Sequence, residues 1–157
     1  EGGRARIGIV YDPVHDELFR ARRGDAAWCD TASGVARLHV AGTTTLPGAF
    51  VALGHHDRVP DAHHLEIRRR MMEQGISMRN FGSGALQLAH VASGRLDGFI
   101  ELQLSIWDAI GALVIVDEAG GRSAPFLPAP VTAKTPCLAS TPGIFDALAT
   151  MSQISTT

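Results

Sequence analysis

"WDAIGALVIVDEAGG", Trp107 to Gly121, places one acid near the head of an almost wholly apolar run and two glycines at its end. An Asp side chain accepts hydrogen bonds from the unpaired N–H groups of a first helical turn, and glycines suit a left-handed exit. The stretch therefore predicts a helix capped by Asp108 and ended by Gly120 and Gly121. Between those ends Ala109, Ile110, Ala112, Leu113, Val114, Ile115, Val116 and Ala119 surround the helix, and only Asp117 and Glu118 carry charge. A helix apolar nearly all round is packed between layers. That points to a layered fold, and it leaves Asp108 two readings: a plain cap, or a carboxylate aimed from a buried helix entrance into a cleft.

Outward from this helix the chain alternates. "ISMRN" (76–80) is strand-like, "SGALQLAHVAS" (83–93) helical, "LDGFIEL" (96–102) strand-like, "PCLAS" (136–140) a strand and "GIFDALATM" (143–151) a closing helix. Further upstream, "AFVALG" (49–54) is a short apolar strand before a polar loop. A helix follows over "AHHLEIRRRMMEQG" (62–75), with Leu65, Arg69 and Met72 on one side and Gly75 at its end. The first 40 residues differ. "ARIGIVYD", "ELFRAR", "AAWCD" and "ARLHVAG" are strands parted by turns at Asp12-Pro13, Gly24-Asp25 and Ser33-Gly34, which makes an antiparallel meander. The expected fold is thus layered α/β, with a meander over residues 1–48 and an α/β subdomain over 49–157.

Composition narrows the function. With 157 residues, 45% hydrophobic and 19% charged, the chain can bury one sizeable core. A formal charge of −2 with dispersed basic residues gives no footprint for nucleic acid or anionic membrane, and Arg68 to Arg70 are expected to form a solvated helix face. No apolar stretch reaches the ~18 residues needed to span a bilayer, and the start lacks the apolar core of a signal peptide, so a soluble cytoplasmic protein is expected. Cys29 and Cys137 are expected to be reduced thiols rather than a disulfide.

Chemistry concentrates between Arg79 and Gly121. Gly82-Ser83-Gly84 stands at a helix entrance, where free N–H groups and the dipole favour an anion, although taken alone the motif is weak evidence and a tight turn and cap is its ordinary explanation. Glu101, at the end of a strand, precedes Asp108 by seven residues, so a strand end and a helix start bring two carboxylates towards one cleft. His55-His56 and His63-His64 lack the Cys or spaced Glu of a zinc site and are expected to form a polar loop. His90, three residues after Gln87 and three before Ser93, is expected on an exposed polar stripe. There is no phosphate loop, dinucleotide fingerprint or Ser/His/Asp signature.

The segment "RNFGSGALQLAHVASGRLDGFIELQLSIWDAIGALVIVDEAGG" resembles the C-terminal signature of the inositol monophosphatase family of metal-dependent sugar-phosphate phosphatases. It carries the Gly-Ser helix entrance, the "VASGRLDGF" turn, the Glu101 position and the Trp-Asp helix with its Glu-Ala-Gly-Gly ending. "GIVYDPVHDELFRARRGDAAWCD" is similar to the family's central hairpin, so the resemblance covers nearly the whole chain. It implies an inositol monophosphatase-like sandwich lacking the N-terminal part of its first sheet. It further implies that Asp108 is a Mg²⁺ ligand, that Glu101 bonds a substrate hydroxyl, and that Gly82, Ser83 and Gly84 border the pocket of a small phosphorylated polyol.

Departures from the family pattern matter as much. Ser105 stands where some inositol-specific members carry His, and the family's Glu-Glu and Asp-Pro-Ile/Leu-Asp-Gly-Thr metal segments have no match here. The expected function is therefore the C-terminal portion of a Mg²⁺-dependent phosphatase of inositol monophosphate or a related phosphomonoester, inactive alone. The alternative is a non-catalytic remnant acting as a binding or oligomerisation module. Early strands without partners would expose a hydrophobic edge, and a homodimer through it is expected.

Overall fold

The structure, a computed structural model, describes residues 4–55, 61–126 and 128–157. Four strands form the meander: β1 (Ile7–Asp12), β2 (Glu17–Arg22), β3 (Ala27–Thr31) and β4 (Gly34–Arg37), in the order β1-β2-β3-β4 with every pair antiparallel. The fourth strand ends sooner than "ARLHVAG" predicts. After Arg37 the Leu38 N–H still donates to the Ala27 carbonyl, but the Val40 N–H donates to the Ala119 carbonyl, so the chain leaves the sheet to lie against the central helix.

A second, mixed sheet follows. Its strands are β5 (Phe50–Leu53), β6 (Ser77–Arg79), β7 (Gly98–Leu104), β8 (Arg122–Ser123) and β9 (Thr135–Ser140), in the order β6-β5-β7-β9-β8. β5 is parallel to both β6 and β7, whereas β9 is antiparallel to β7 and β8. Four helices interleave: α1 (Asp61–Glu73), α2 (Gly84–Ala92), α3 (Ile106–Glu118) and α4 (Phe145–Ser152), the last preceded by a 3₁₀ turn at Pro142–Ile144.

Packing explains the layers. α2 and α3 lie between the two sheets, touching β1 and β2 on one side and β7 and β9 on the other, while α1 and α4 pack together on the far side of the mixed sheet. The all-round apolar reading of the central helix holds for its middle and not for its first turns: Ala109, Ala112 and Leu113 to Val116 are buried in one core with Phe19, Leu88, Val91 and Phe99, whereas Trp107 and Ile110 are exposed. A second core lies under α1 and α4 and includes Val51, Ile67, Met71, Leu138 and Leu148. The buried face of α1 is His64, Ile67 and Met71, at spacings of three and four. Leu65 and Met72, which the sequence sets on a common side with Arg69, point outward at 58% and 65% exposure.

α3 starts earlier than expected. Ser105, not Asp108, is the N-cap, and Asp108 occupies the third helical position, within the first turn. Ile106 and Trp107 are already helical because the Asp108 and Ala109 N–H groups both donate to the Ser105 carbonyl. The exit matches the glycine reading: Gly120 has φ +88°, its N–H donates to Asp117 and the Gly121 N–H to Val116, a paired closure of the last turn. Both cysteines are buried and free. Among the described residues no helix is long and apolar enough to cross a membrane.

Candidate active site

The parallel strands place the site. β5 sends the chain to β6 on one side and, through α2, β7 takes the other side, so the strand order reverses at β5. A crevice is expected outside the carboxyl ends of strands at such a reversal. There, a cleft of about 340 Å³ is lined by Gly54 from the end of β5, Gly82, Ser83 and Gly84 before α2, Glu101 from β7, Asp108 from α3 and Lys134 before β9. All five residues singled out from the sequence thus meet at one cavity.

Each is held by identifiable local forces. Gly82 has φ +77°, a conformation L side chains rarely adopt, and its N–H donates to Asn80 Oδ1 at 2.9 Å. Ser83 caps α2, its Oγ accepting from the Leu86 N–H at 3.3 Å. Gln87, 1% exposed, reaches back from α2 so that its Oε1 accepts from the Phe81 N–H at 3.1 Å. The loop that borders the cleft is therefore anchored at both ends. Gly84 leaves little space, since a Cβ there would stand 2.6 Å from Leu104 Cδ1 and that side-chain end would have to shift.

Glu101 lies within β7 rather than at its end, immediately before an irregularity in the pairing with β9 between Glu101 and Leu104. Its carboxylate presses on the chain of β5: a Cβ added to Gly54 would meet Glu101 Oε2 at 2.2 Å. Burial, and then the charge of Asp108, push the Glu101 carboxyl up to about 7, against a smaller downward pull from Lys134. The residue opposite in the sheet is Cys137, whose thiol burial pushes far up, so it is no nucleophile.

Lys134 went unnoticed in the sequence, yet it is the only lysine in the chain, which is the signal that marks it. Its Nζ donates to Ser105 Oγ and lies 5.5 Å from the centroid of the exposed Trp107 ring. The ammonium is thereby fixed at the N-terminus of α3, beside the two acids. Asn80 and Gln87 are further cleft residues without a signal in the sequence, and His55, expected only in a polar loop, also lines the cleft.

The donor set tests the Mg²⁺ expectation. Mg²⁺ takes about six oxygen ligands in octahedral geometry and gives up water reluctantly. Among the described residues no group of three or more His, Cys, Asp or Glu side chains stands ready to hold a metal ion. Asp108 can supply one ligand, and the mutual repulsion that raises Glu101 is what a cation would relieve. These residues fit a share of a Mg²⁺ site and do not make a whole one.

The histidines separate. His56 lies outside the described residues. His64 is not part of a polar loop but is buried on α1, its ring 4.7 Å from that of His55. His90 is half-buried rather than exposed, with Phe19 and Phe81 edge-on to its ring at 6.2 and 5.9 Å. Burial and Arg95 hold its pKa below the ordinary value.

Comparison with known proteins agrees with this arrangement. The sequence profile of the Inositol monophosphatase family matches residues 1–150. An inositol-1-monophosphatase of Mesorhizobium japonicum is 38% identical over 121 residues, 76% of this chain and 44% of its own length. The Nus factor SuhB of Escherichia coli is 36% identical over 121 residues, again 76% of this chain and 44% of that protein. The solved inositol monophosphatase of Anabaena (Nostoc) superposes with a TM-score of 0.83 at 30% identity, covering 99% of this chain and 64% of that one. The chain spans less than half the length of the curated relatives it matches. With the profile running through both sheets and every residue of the cleft, the chain belongs to the inositol monophosphatase family.

Proposed function

We propose that this chain forms the substrate-facing wall of a Mg²⁺-dependent phosphatase acting on inositol monophosphate or a related small phosphomonoester. The carrying observation is the convergence of Glu101, Asp108 and the anchored Gly82–Gly84 loop on one cleft at the strand reversal. Asp108 is aimed by a buried helix and would hold one coordination position. Mg²⁺, the usual cofactor of the family, supplies charge neutralisation at the phosphoryl oxygens and an activated water. Ser83 and Gly84, at the N-terminus of α2, turn the positive end of that helix towards an anion or hydroxyl, and Gly82 shapes the turn that brings them there. Glu101, once a neighbouring cation restores its charge, accepts a hydrogen bond from a substrate hydroxyl. The donor set limits what the 157 residues do by themselves: a cytoplasmic enzyme of this kind needs further acids at Asp108.

The test is direct. Purified as it stands, the chain is expected to release no phosphate from inositol 1-phosphate with Mg²⁺, while a version extended by a family-type N-terminal region carrying the missing acids does so. In that version Asp108→Asn should lower turnover by about a hundredfold or more and raise the Mg²⁺ requirement. Robust turnover by the 157 residues alone, or an Asp108→Asn enzyme with unchanged Mg²⁺ dependence, would overturn the assignment.

A second reading, a non-catalytic binding module, is favoured by the incomplete acid set and by relatives named as a Nus factor rather than a phosphatase. It predicts that the extended version stays inactive although it folds. The coding sequence upstream of Glu1 separates the two readings at once. In-frame Glu-Glu and Asp-Pro-x-Asp-Gly-Thr segments favour the enzyme.

A further inference from the structure

Phe81, the residue before Gly82, ties the loop that borders the cleft to the far end of α2. Its ring lies edge-on to that of His90, in the last turn of α2, with the centroids 5.9 Å apart. The same imidazole meets Phe19 of β2, which is fully buried, at 6.2 Å. His90 is thus a half-buried wedge shared between the first sheet and the loop of the cleft.

Arg95 decides which nitrogen of the wedge carries a proton. Its guanidinium grips Glu17 of β2 through two bonds of 2.6 Å each, and its central carbon lies 5.7 Å from the centroid of the Phe19 ring. Arg95 Nη1 also approaches His90 Nε2 to 3.5 Å. A guanidinium only donates, so Nε2 is the bare nitrogen and the neutral imidazole holds its proton on Nδ1. A second proton, on Nε2, would set N–H against N–H beside a cation that Glu17 keeps in place. The charged groups that bear on the ring are Arg95 beyond the end of α2, Glu17 on β2, and Asp12 and His15 at the β1–β2 turn. Burial and Arg95, with a lesser push from His15, oppose the charged ring, while Glu17 and Asp12 favour it; the balance lies with the neutral form.

We propose that His90 is a pH-sensitive latch: neutral, it holds Phe81 and with it the Gly82 turn; protonated, it leaves the slot between Phe19 and Phe81 and loosens the loop that borders the cleft. By linkage, a packing that disfavours the proton is itself disfavoured by it, so the latched population falls as pH drops through the titration of His90. Gln87 and Asn80 still hold the Phe81 and Gly82 N–H groups, so the loop is loosened and not unfolded. The consequence for ligands rests on the reading of the cleft as a phosphomonoester site. Only latched chains present Ser83 and Gly84 in register there, so binding weakens on the acid side of the transition.

The test follows the isotope-labelled chain by NMR from about pH 8 to pH 5, the span in which histidines change charge. The His90 ring is expected to titrate below the ordinary histidine value, and the Phe81 and Gly82 amides to move with the same midpoint. Glu101 and His55 also border the cleft. The transition at Phe81 should therefore persist in Glu101→Gln and His55→Gln, and vanish both in His90→Gln and in His90→Phe, which keeps a ring in the slot. Loop amides that titrate in the two His90 variants as in the parent overturn the latch, and so does a Phe81 that stays still while the His90 ring titrates. Binding of inositol 1-phosphate with Mg²⁺ is then compared between the parent and His90→Phe at about pH 7.5 and about pH 5.5. The ligand's phosphate, Glu101 and His55 titrate in both chains, so the difference between the chains isolates His90. On acidification the parent is expected to lose at least about threefold more affinity than His90→Phe. Equal losses overturn the latch's hold on the ligand. A loop transition that follows His90, with no shift at Ser83 or Gly84 when the ligand is added at the higher pH, keeps the latch and refutes the phosphomonoester reading instead.

Discussion

Glu101 is a carboxyl kept from water by β5, set beside a second acid and only partly answered by Lys134. Its folded pKa of about 7 exceeds the ordinary 4.5, so the folded chain keeps a proton that the unfolded chain releases between those values. The unfolded state binds fewer protons in that window, and stability therefore falls as pH rises through it, by roughly 1 to 2 kcal/mol from this residue once solvent screening of a half-buried carboxyl is allowed for. Glu101→Gln should remove that slope and leave the variant more stable than the parent at pH 8 and similar at pH 4.5. Urea unfolding across this pH range checks it, and an unchanged slope in the variant would show that Glu101 ionises normally. The causes are separable too. Asp108→Asn should lower the Glu101 pKa and Lys134→Met should raise it, as read by carbon-13 shifts of the carboxyl; opposite signs would mean that the cleft is arranged otherwise.

At the level of elements, the meander sits on α3 through two glycines. A Cβ on Gly8 of β1 would stand 2.0 Å from the Gly111 carbonyl oxygen, whereas a Cβ on Gly111 meets nothing nearer than 3.7 Å. Gly8→Ala must push strand from helix and is expected to cost about 3 kcal/mol or more. Gly111→Ala, in mid-helix with room to spare, should instead be neutral or stabilise by up to about 1 kcal/mol. Thermal unfolding of both variants tests the pairing, and equal losses would refute it. This asymmetry is invisible in the sequence, where both positions are only glycines amid apolar residues. The central location of α3 was legible because Ala112 to Val116 are apolar at every successive position, which only a helix packed between two layers sustains. Its start was not: Ser105 and Asp108 are both capping types three residues apart, and only the backbone bonds to the Ser105 carbonyl decide between them. Glu101 was misplaced for a related reason, since β7 runs on beyond it through an irregular pairing that no alternation pattern announces. Lys134 and His55 enter the cleft from loops distant in sequence, and such convergence carries no local signature.

For the whole molecule, the layers leave one side of the meander without cover. Gly8 faces α3, while Ile7, Ile9 and Tyr11 alternate onto the outer face at 63%, 62% and 54% exposure, with the half-buried Trp28 two strands away in the same row as Ile9. β1 is also an edge strand of its sheet, with backbone groups along one side not engaged in the ladder. An apolar face next to an open edge favours association, and a strand paired antiparallel with its own copy closes the contact symmetrically without generating a filament. The purified chain is therefore expected to form a two-fold dimer through β1. Ile9→Lys should shift it to monomer, because a charge on the dimer axis meets its own copy across the contact and like charges directly opposite are destabilising. Ile9 lies outside the cleft, so binding of a phosphorylated ligand should survive the change. Sedimentation velocity over a wide concentration range gives the answer: a wild-type chain that stays monomeric throughout, or an Ile9→Lys dimer as tight as the parent, would show that this face is not where copies meet.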